Sequence, residues 1–126
     1  MKLPTKGQIE AEVCEAVIRF EKEYMGRGPL ETKAYVIDDM VVVRLRGVLT
    51  QAEHQLAAAT DSSRGRELIK QVRIELLERG RPLLESVLES ITKRRVESLH
   101  TDISTKSGER VFVFVLDRAP EFQRPA

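Results

Sequence analysis

Val96-Glu-Ser-Leu-His-Thr-Asp-Ile-Ser-Thr-Lys-Ser-Gly-Glu-Arg-Val-Phe-Val-Phe-Val-Leu116 contains two runs typical of β-strands, separated by a polar segment around Lys106-Ser-Gly108. The pattern predicts a β-hairpin. Apolar residues occupy both phases of its second strand, from Val111 to Leu116. A strand of that kind is seldom left open to water on either side, so we expect both of its faces to be covered.

An earlier segment, Lys33-Ala-Tyr-Val-Ile-Asp-Asp-Met-Val-Val-Val-Arg-Leu-Arg46, predicts another hairpin that turns at Asp38-Asp39. Each hairpin follows a long amphipathic helix, which gives two αββ units. Because one such unit cannot bury its own apolar faces, we expect the two to join. The prediction is an α+β fold, in which two αββ repeats form a mainly antiparallel four-stranded sheet with long helices packed on one face. We expect a single domain over residues 1–126, with a mobile tail from residue 118 to 126.

Local signals mark the helix ends. Thr5 with Gln8, and Thr50 with Glu53, have the spacing of capping boxes. The first predicts a helix that ends at Met25-Gly-Arg-Gly-Pro29, and the second a short helix through Ala59. The apolar stripe of the first helix is Ile9, Val13, Ala16, Val17, Phe20 and Tyr24.

The longest helix is predicted to begin at Asp61-Ser-Ser63. Gly80-Arg-Pro82 lies within it, and proline there predicts a kink or a break into two helices. Its expected apolar positions are Leu68, Ile69, Val72, Leu76, Leu77, Leu84, Val87, Leu88 and Ile91. Its charged residues predict a solvated face, made of Arg64, Arg66, Glu67, Lys70, Arg73, Glu75, Glu78, Arg79 and Arg81.

The composition limits the classes of function. The 126 residues are 41% hydrophobic and 33% charged, and 21 basic against 20 acidic residues give a net charge of +1. A dedicated duplex-binding domain usually has a clear basic excess, so that class loses weight. The single cysteine, Cys14, cannot form an internal disulfide, which fits a reducing cytosol. No stretch approaches the roughly 20 apolar residues of a membrane span, and the N-terminus lacks a secretory signal. We therefore expect a soluble, cytoplasmic protein without direct membrane insertion.

The sheet face turned away from the helices is the best candidate for function. Alternation places Arg44, Arg46, His100 and Asp102 on it, and guanidinium and imidazole groups suit a small oxyanion or carboxylate. The predicted ligand-binding residues are Arg44, Arg46, His100 and Asp102, followed by Arg27, Lys106 and Arg110. Alternatively, these side chains are merely solvated or belong to a subunit interface. An apolar surface that includes Val42 and arginines favours a homodimer.

Other chemistry has weaker support. His100 and Asp102 could act as a base and its orienter in a small enzyme. However, no Ser or Cys nucleophile can be placed against them from the sequence. Cys14 is expected to pack as a small hydrophobe. His54 has no metal-ligand spacing around it, so neither a metal nor a cofactor is predicted. Lys106-Ser-Gly108 lacks the spacing of a P-loop and predicts a polar turn with Gly108 at positive φ. Binding of single-stranded nucleic acid needs exposed aromatic rings, which this sheet hardly offers, so no nucleic-acid partner is expected.

Four segments carry a resemblance to a known family. They are Thr5-Lys-Gly-x-Ile-Glu10, Ala16-Val-Ile-Arg-Phe-Glu-Lys-Glu-Tyr-Met-Gly-Arg-Gly-Pro29, Val43-Arg-Leu-x-Gly-Val-Leu-Thr-x-Ala-Glu53 and His100-Thr-Asp-Ile-Ser-Thr-x-x-Gly-Glu-Arg-Val-Phe-Val-Phe114. The chain resembles the family labelled after MpsC, a component of a bacterial sodium-translocating, membrane-potential-generating system. The resemblance implies a small cytosolic protein beside a membrane transporter for ions and inorganic carbon. It supplies no catalytic residues.

Residues and resemblance together predict a non-enzymatic accessory or regulatory protein that forms a dimer. Its partner would be a second copy, a membrane transporter subunit or a small anion. The alternative is a small enzyme that uses His100 and Asp102 on an anionic substrate.

Overall fold

A computed structural model describes residues 2–58 and 62–124 of the chain. The elements in these residues are, in order, α1 (Lys6–Met25), β1 (Glu31–Ile37), β2 (Met40–Arg46), α2 (Gln51–Ala58), α3 (Ser62–Thr92), β3 (Val96–Ile103) and β4 (Arg110–Leu116). The four strands form one antiparallel sheet in the order β1-β2-β4-β3. The prediction of an α+β fold with this sheet is confirmed. That the two αββ units are repeats stays a prediction.

The two hairpins meet at their second strands. Val43 of β2 lies opposite Phe112 of β4, and Val41 lies opposite Phe114. The hairpin turns occur where the sequence predicts them. Asp38 has φ +53° in the first turn, and Gly108 has φ +73° at the end of the second, which glycine adopts without steric cost.

One face of the sheet is covered and forms the core. The register places the buried residues of all four strands on it: Ala34, Val36, Val41, Val43, Leu45, Leu99, Ile103, Phe112, Phe114 and Leu116. Helix α1 packs against β1 and α3, and α3 packs against β3. The predicted stripe of α1 is confirmed at its centre, because Ile9, Val13 and Val17 are at most 1% exposed. Burial of such side chains stabilises the fold by about 1.5–3 kcal/mol each.

The caps of α1 and α2 are also confirmed. Thr5 and Gln8 exchange both bonds of a capping box at the start of α1. Thr50 N–H donates to Glu53 Oε1 at 2.8 Å, and Glu53 N–H donates to Thr50 Oγ1 at 3.1 Å. Helix α1 ends as expected, since Gly26 follows Met25 with φ +88°. The predicted cap residue Asp61, and Ala59 at the end of the short helix, lie outside the described residues.

Helix α3 is continuous, so of the two predicted alternatives the break into two helices is wrong, and the kink stays a prediction. Pro82 lies inside it, although a proline there costs about 3 kcal/mol or more. Packing on both sides of the proline opposes this cost. A Cβ on Gly80 would overlap the Phe20 ring, so glycine allows α1 and α3 to approach closely. Leu84 and Leu88, beyond the proline, are at most 2% exposed.

The faces of α3 differ in part from the prediction. Leu68 and Val72, expected in the core, are 48% and 55% exposed. Arg73, expected on the solvated face, is 3% exposed, and that assignment is wrong. The buried stripe instead contains Ile69, Arg73 and Leu77, at steps of four residues.

The C-terminal segment returns to the start of the chain. Gln123 N–H donates to the Pro4 carbonyl oxygen at 2.8 Å, and Arg94 Nε donates to the Ala119 carbonyl oxygen at 2.9 Å. The mobility predicted for this tail stays a prediction. Among the described helices, none combines the length and the apolar character that crossing a membrane requires.

Candidate functional site

The sheet face opposite α1 and α3, called the open face below, has an apolar patch at its centre. The patch consists of Tyr35, Ile37, Met40, Val42, Val113 and Val115, which the strand register places side by side. Tyr35 and Ile37 are 44% and 47% exposed, and the other four are half-buried. The inner side of β4 is covered as expected. On its outer side Val111, Val113 and Val115 are half-buried, and full coverage of that side stays a prediction.

Charged side chains occupy one end of the open face. Arg44 Nε donates to Glu109 Oε2, and Arg46 Nε lies 3.8 Å from the same oxygen. Both arginines are exposed, as predicted. Ion pairs at such exposed positions contribute only about 0–1 kcal/mol. The two guanidinium groups can therefore exchange Glu109 for a carboxylate or an anion from outside.

His100 and Asp102 lie on the outer phase of β3, as predicted, but each contacts a different group. His100 Nε2 is 3.2 Å from Ser98 Oγ. Asp102 Oδ1 accepts from Ile103 N–H at 2.8 Å and lies 3.4 Å from Lys70 Nζ of α3. Asp102 is not a hydrogen-bond partner of His100 in the described residues. An enzyme with His100 as base and Asp102 as orienter would need that contact.

The other three predicted ligand-binding residues lie elsewhere. Arg27 Nη1 donates to the Leu49 carbonyl oxygen at 3.1 Å, beside the end of α1. Lys106 is exposed in the turn between β3 and β4. Arg110 is 3% exposed on the covered face. The structure thus brings Arg44 and Arg46 together and distributes the remaining residues, and a single ligand site made of all seven stays a prediction.

A buried ionic cluster, made of Glu21, Glu53, Arg73 and Arg110, lies between the helices and the covered face. Arg73 forms a bidentate pair with Glu53, with Nε–Oε2 and Nη2–Oε1 distances of 2.8 Å. Its Nη2 also donates to the Val48 carbonyl oxygen at 3.0 Å. The same Glu53 closes the cap of α2, so the cluster fixes the start of α2 against α3.

The second half of the cluster is held more loosely. Glu21 is 1% exposed, and its two oxygens lie 3.8 Å from Arg73 Nη1 and 4.0 Å from Arg110 Nη1. Glu21 Oε2 and both Nη1 atoms have no hydrogen-bond partner among the described residues. Arg110 Nε donates to Thr101 Oγ1 at 3.4 Å, and its guanidinium carbon lies 4.8 Å from the centre of the Phe112 ring, a cation–π distance.

The pKa values follow this geometry. Burial raises the pKa of Glu21, although Arg110 and Arg73 act in the opposite direction. Burial also lowers the pKa of Arg110, against the attraction of Glu21. Both directions agree with the long separation of 4.0 Å between the two charges, because a buried pair at that distance regains little of what its desolvation costs. Burial acts to raise the pKa of Glu53 as well, but hydrogen bonds from Arg73 and Thr50 outweigh it and hold that pKa below its ordinary value.

The spacing of the charged residues in the sequence indicates this cluster, although the many charges of α3 favoured a solvated face. Arg73 lies four residues after Ile69 and four before Leu77, and Glu21 lies four residues after Val17. A spacing of four places side chains on the same helix face. Both charged residues therefore belong to apolar stripes, where a buried charge requires an opposite charge close by.

On each edge strand of the sheet, one backbone N–H is already bonded to a glutamate side chain, which disfavours strand addition at that position. On β1, Val36 N–H donates to Glu10 Oε2 of α1 at 2.9 Å. On β3, Val96 N–H donates to Glu89 Oε2 at 2.9 Å. Unpaired edge groups are what a new strand would bind.

Cys14 packs against the core as predicted, with its Sγ 3.8 Å from the Thr32 carbonyl oxygen, and burial raises the pKa of its thiol.

Comparison with known proteins gives the family. Residues 5–118 match the family model described as "Na+-translocating membrane potential-generating system (MpsC)". The chain belongs to the MpsC family. The resemblance seen in the sequence is thereby confirmed.

Two relatives from Bacillus subtilis (strain 168) are similar over nearly their whole length. Uncharacterized protein YbcI is 42% identical over 112 residues, which cover 89% of this chain and 88% of YbcI. Uncharacterized protein YrhF is 26% identical over 117 residues, which cover 91% of this chain and 93% of YrhF. No solved structure matches the chain.

Proposed function

We propose that this MpsC-family chain is a non-enzymatic accessory component of a Na+-translocating membrane potential-generating system, and that it works as a dimer formed through the open face. The description of the family supports the first part. The observation that carries the second part is the central strand β4, which is apolar on both sides although, among the described residues, Phe112, Phe114 and Leu116 on its inner side are buried and its outward valines are only half-buried.

The residues of the open face fit a protein contact better than a reaction. An apolar centre with a charged end is the usual composition of an interface, and Tyr and Arg are enriched there. The glutamate bonds at Val36 and Val96 disfavour strand addition at those edge positions, which leaves the face as the better surface for a partner. His100 and Asp102 contact other groups, which supports a binding role over acid–base catalysis.

The size of the open face sets the expected affinity. Four strands about 4.8 Å apart and about seven residues long give a face of roughly 440 Å², or about 900 Å² for two copies. Stable interfaces bury about 1,200–2,000 Å² in total. The proposed dimer is therefore weak, and its population depends on protein concentration.

Sedimentation velocity at several protein concentrations tests the dimer. We expect the mean mass of the native chain to rise with concentration, and Val113→Asp to abolish that rise, because it places a charge in the apolar patch. Val72→Asp is the matched control, since Val72 is 55% exposed on α3, away from the open face. A native chain that stays monomeric would sink the dimer. If Val72→Asp abolished association and Val113→Asp did not, the dimer contact would lie on α3 and not on the open face.

Membrane potential in cells tests the role in the system. In cells that make the complete Na+-translocating system, we expect Val113→Asp to lower the Na+-dependent potential and Val72→Asp to leave it unchanged. An unchanged potential in cells that lack the chain altogether would contradict the accessory role.

A further inference from the structure

We infer that a basic pocket between α2, α3 and the β3–β4 turn binds a small phosphate-bearing anion. The pocket is a cavity of about 690 Å³. Its polar lining consists of His54, Arg66, Lys70, Ser104, Thr105 and Lys106. This inference does not depend on the role proposed for the open face. Of the seven predicted ligand-binding residues, only Lys106 lines the pocket.

The charges of the pocket are segregated beyond what the composition explains. The chain has 21 basic and 20 acidic residues, yet the described lining of the pocket contains Arg66, Lys70 and Lys106 and no carboxylate, and the nearby Asp102 pairs with Lys70 from outside that lining. The groove between α1 and α3, of about 680 Å³, mixes both signs, with Glu12, Glu15 and Glu23 beside Arg19 and Lys93. Convergent positive charge in a concave site concentrates anions.

Two of the three cations are available to a ligand. Arg66 and Lys106 form no ion pair within 4.0 Å among the described residues. Lys70 Nζ lies 3.4 Å from Asp102 Oδ1, whose side chain is 82% exposed. An ion pair that open to solvent is weak, so an incoming anion can compete for Lys70 as well.

The lining also indicates the class of anion. Three cations favour a ligand with two or more negative charges, and an arginine fork and lysine ammonium groups suit phosphate oxygens. The hydroxyls of Ser104 and Thr105 can donate to the same oxygens. The apolar lining is Ala57, Ala58 and Ile103, and the only aromatic ring in the described lining is the small imidazole of His54, without a Phe, Tyr or Trp on which a nucleobase could stack. Phosphate, pyrophosphate and small phosphate esters therefore fit better than nucleotides that are held by their bases.

Binding would also anchor α2. No residue of α2 is fully buried, and Leu56 is 41% exposed, so apolar burial holds this helix only weakly. A ligand between His54, Arg66 and Lys106 would join α2 to α3 and to the turn. Amide hydrogen exchange reports such anchoring directly.

Calorimetric titration of the full chain with inorganic pyrophosphate and with inorganic phosphate, at low and at physiological salt, tests the site. We expect pyrophosphate to bind more tightly than phosphate, more weakly at higher salt, and to slow amide exchange in α2. Arg66→Ala and Lys106→Ala should each weaken binding about tenfold, as for loss of one charge-assisted hydrogen bond. Both side chains are exposed, so both variants should keep the circular dichroism of the native chain.

Control variants make the test specific. Arg64→Ala and Arg79→Ala each remove an exposed arginine of α3 that lies outside the pocket. Both should bind pyrophosphate as the native chain does, and so should Val113→Asp, whatever the fate of the dimer. No binding of pyrophosphate at low salt would overturn the inference. Equal weakening by Arg64→Ala and Arg66→Ala would also overturn it, because binding would then follow total charge.

The phosphate could belong to a soluble ester or to a lipid headgroup, and a vesicle experiment distinguishes the two. Flotation with phosphatidylcholine vesicles, with and without phosphatidate, measures lipid binding. Binding that requires phosphatidate and is lost in Lys106→Ala supports the pocket with a lipid as the source. Pyrophosphate binding without any flotation supports it with a soluble ester as the source.

Discussion

The substitution Arg73→Met removes the central charge of the buried ionic cluster and keeps a long side chain in its place. It leaves Glu53 without its bidentate partner at 2.8 Å and Glu21 without the guanidinium at 3.8 Å. Removal of one partner from a buried pair costs about 3–5 kcal/mol. Because the Glu53 side chain is 19% exposed and can recruit water, we expect the lower end, about 3 kcal/mol of the free energy of unfolding.

The loss of stability should depend on pH. In the native chain the lowered pKa of Glu53 contributes stability above its ordinary value of 4.5, and this is lost as pH falls through the folded pKa. Without Arg73, Glu21 and Glu53 should bind protons more tightly in the folded than in the unfolded chain. The variant should therefore gain stability relative to the native chain as pH falls from about 7 towards about 5.

Urea unfolding followed by circular dichroism, at about pH 7 and about pH 5, measures both effects. Arg79→Met is the matched control, because Arg79 is an exposed arginine of the same helix, and we expect it to change stability by no more than about 0.5 kcal/mol. A loss below about 1 kcal/mol for Arg73→Met at neutral pH would refute the cost assigned to the cluster. If the stability of Arg73→Met fell further below that of the native chain on acidification, the predicted direction of the pH dependence would be refuted.

Three further predictions concern packing, capping and the thiol. Gly65→Ala should lower the free energy of unfolding by about 1–3 kcal/mol, because its Cβ would overlap the Leu56 carbonyl oxygen of α2. The control Gly7→Ala, whose Cβ would have its nearest neighbour at 4.0 Å, should not lower it. Equal losses of stability for the two variants in urea unfolding would contradict this prediction. Thr5→Ala should cost about 1 kcal/mol by loss of the α1 cap, measured the same way, and Thr5→Ser should restore most of it. Cys14, whose thiol pKa is raised by burial, should be alkylated more slowly in the folded chain than in urea; equal rates would show that the thiol is open to solvent.

Local signals in the sequence were sufficient for the elements. The capping boxes at Thr5 and Thr50, the helix end at Gly26 and the turn at Gly108 depend on residues only a few positions apart. The outward positions of Arg44 and His100 followed from the two-residue period of a strand. Such features need no knowledge of distant neighbours.

The wrong predictions concern residues whose burial depends on contacts with distant parts of the chain. Neighbouring residues of a helix are about 100° apart around its axis, so Leu68 with Val72 and Ile69 with Arg73 are two adjacent stripes of α3. The first stripe is the more apolar, yet the second is buried. Glu21 of α1 and Glu53 before α3 lie on that side and compensate the charge of Arg73. The continuity of α3 through Pro82 likewise depends on Phe20 of α1, which packs against Gly80.

The sequence by itself determined the family, the α+β class, the order of helices and hairpins and which side chains of the strands, such as Arg44 and His100, point away from the core. These follow from local backbone preference and from periodicity, which act within one helix or hairpin. Only the tertiary structure decided that β2 and β4 are neighbours, that the outer side of β4 is only half-buried, that Arg73 and Arg110 are buried with Glu21, and that Lys106 and Arg66 line one pocket. Each of these depends on how elements far apart in the chain pack together, because charge compensation and the burial of a sheet face are properties of the assembled core.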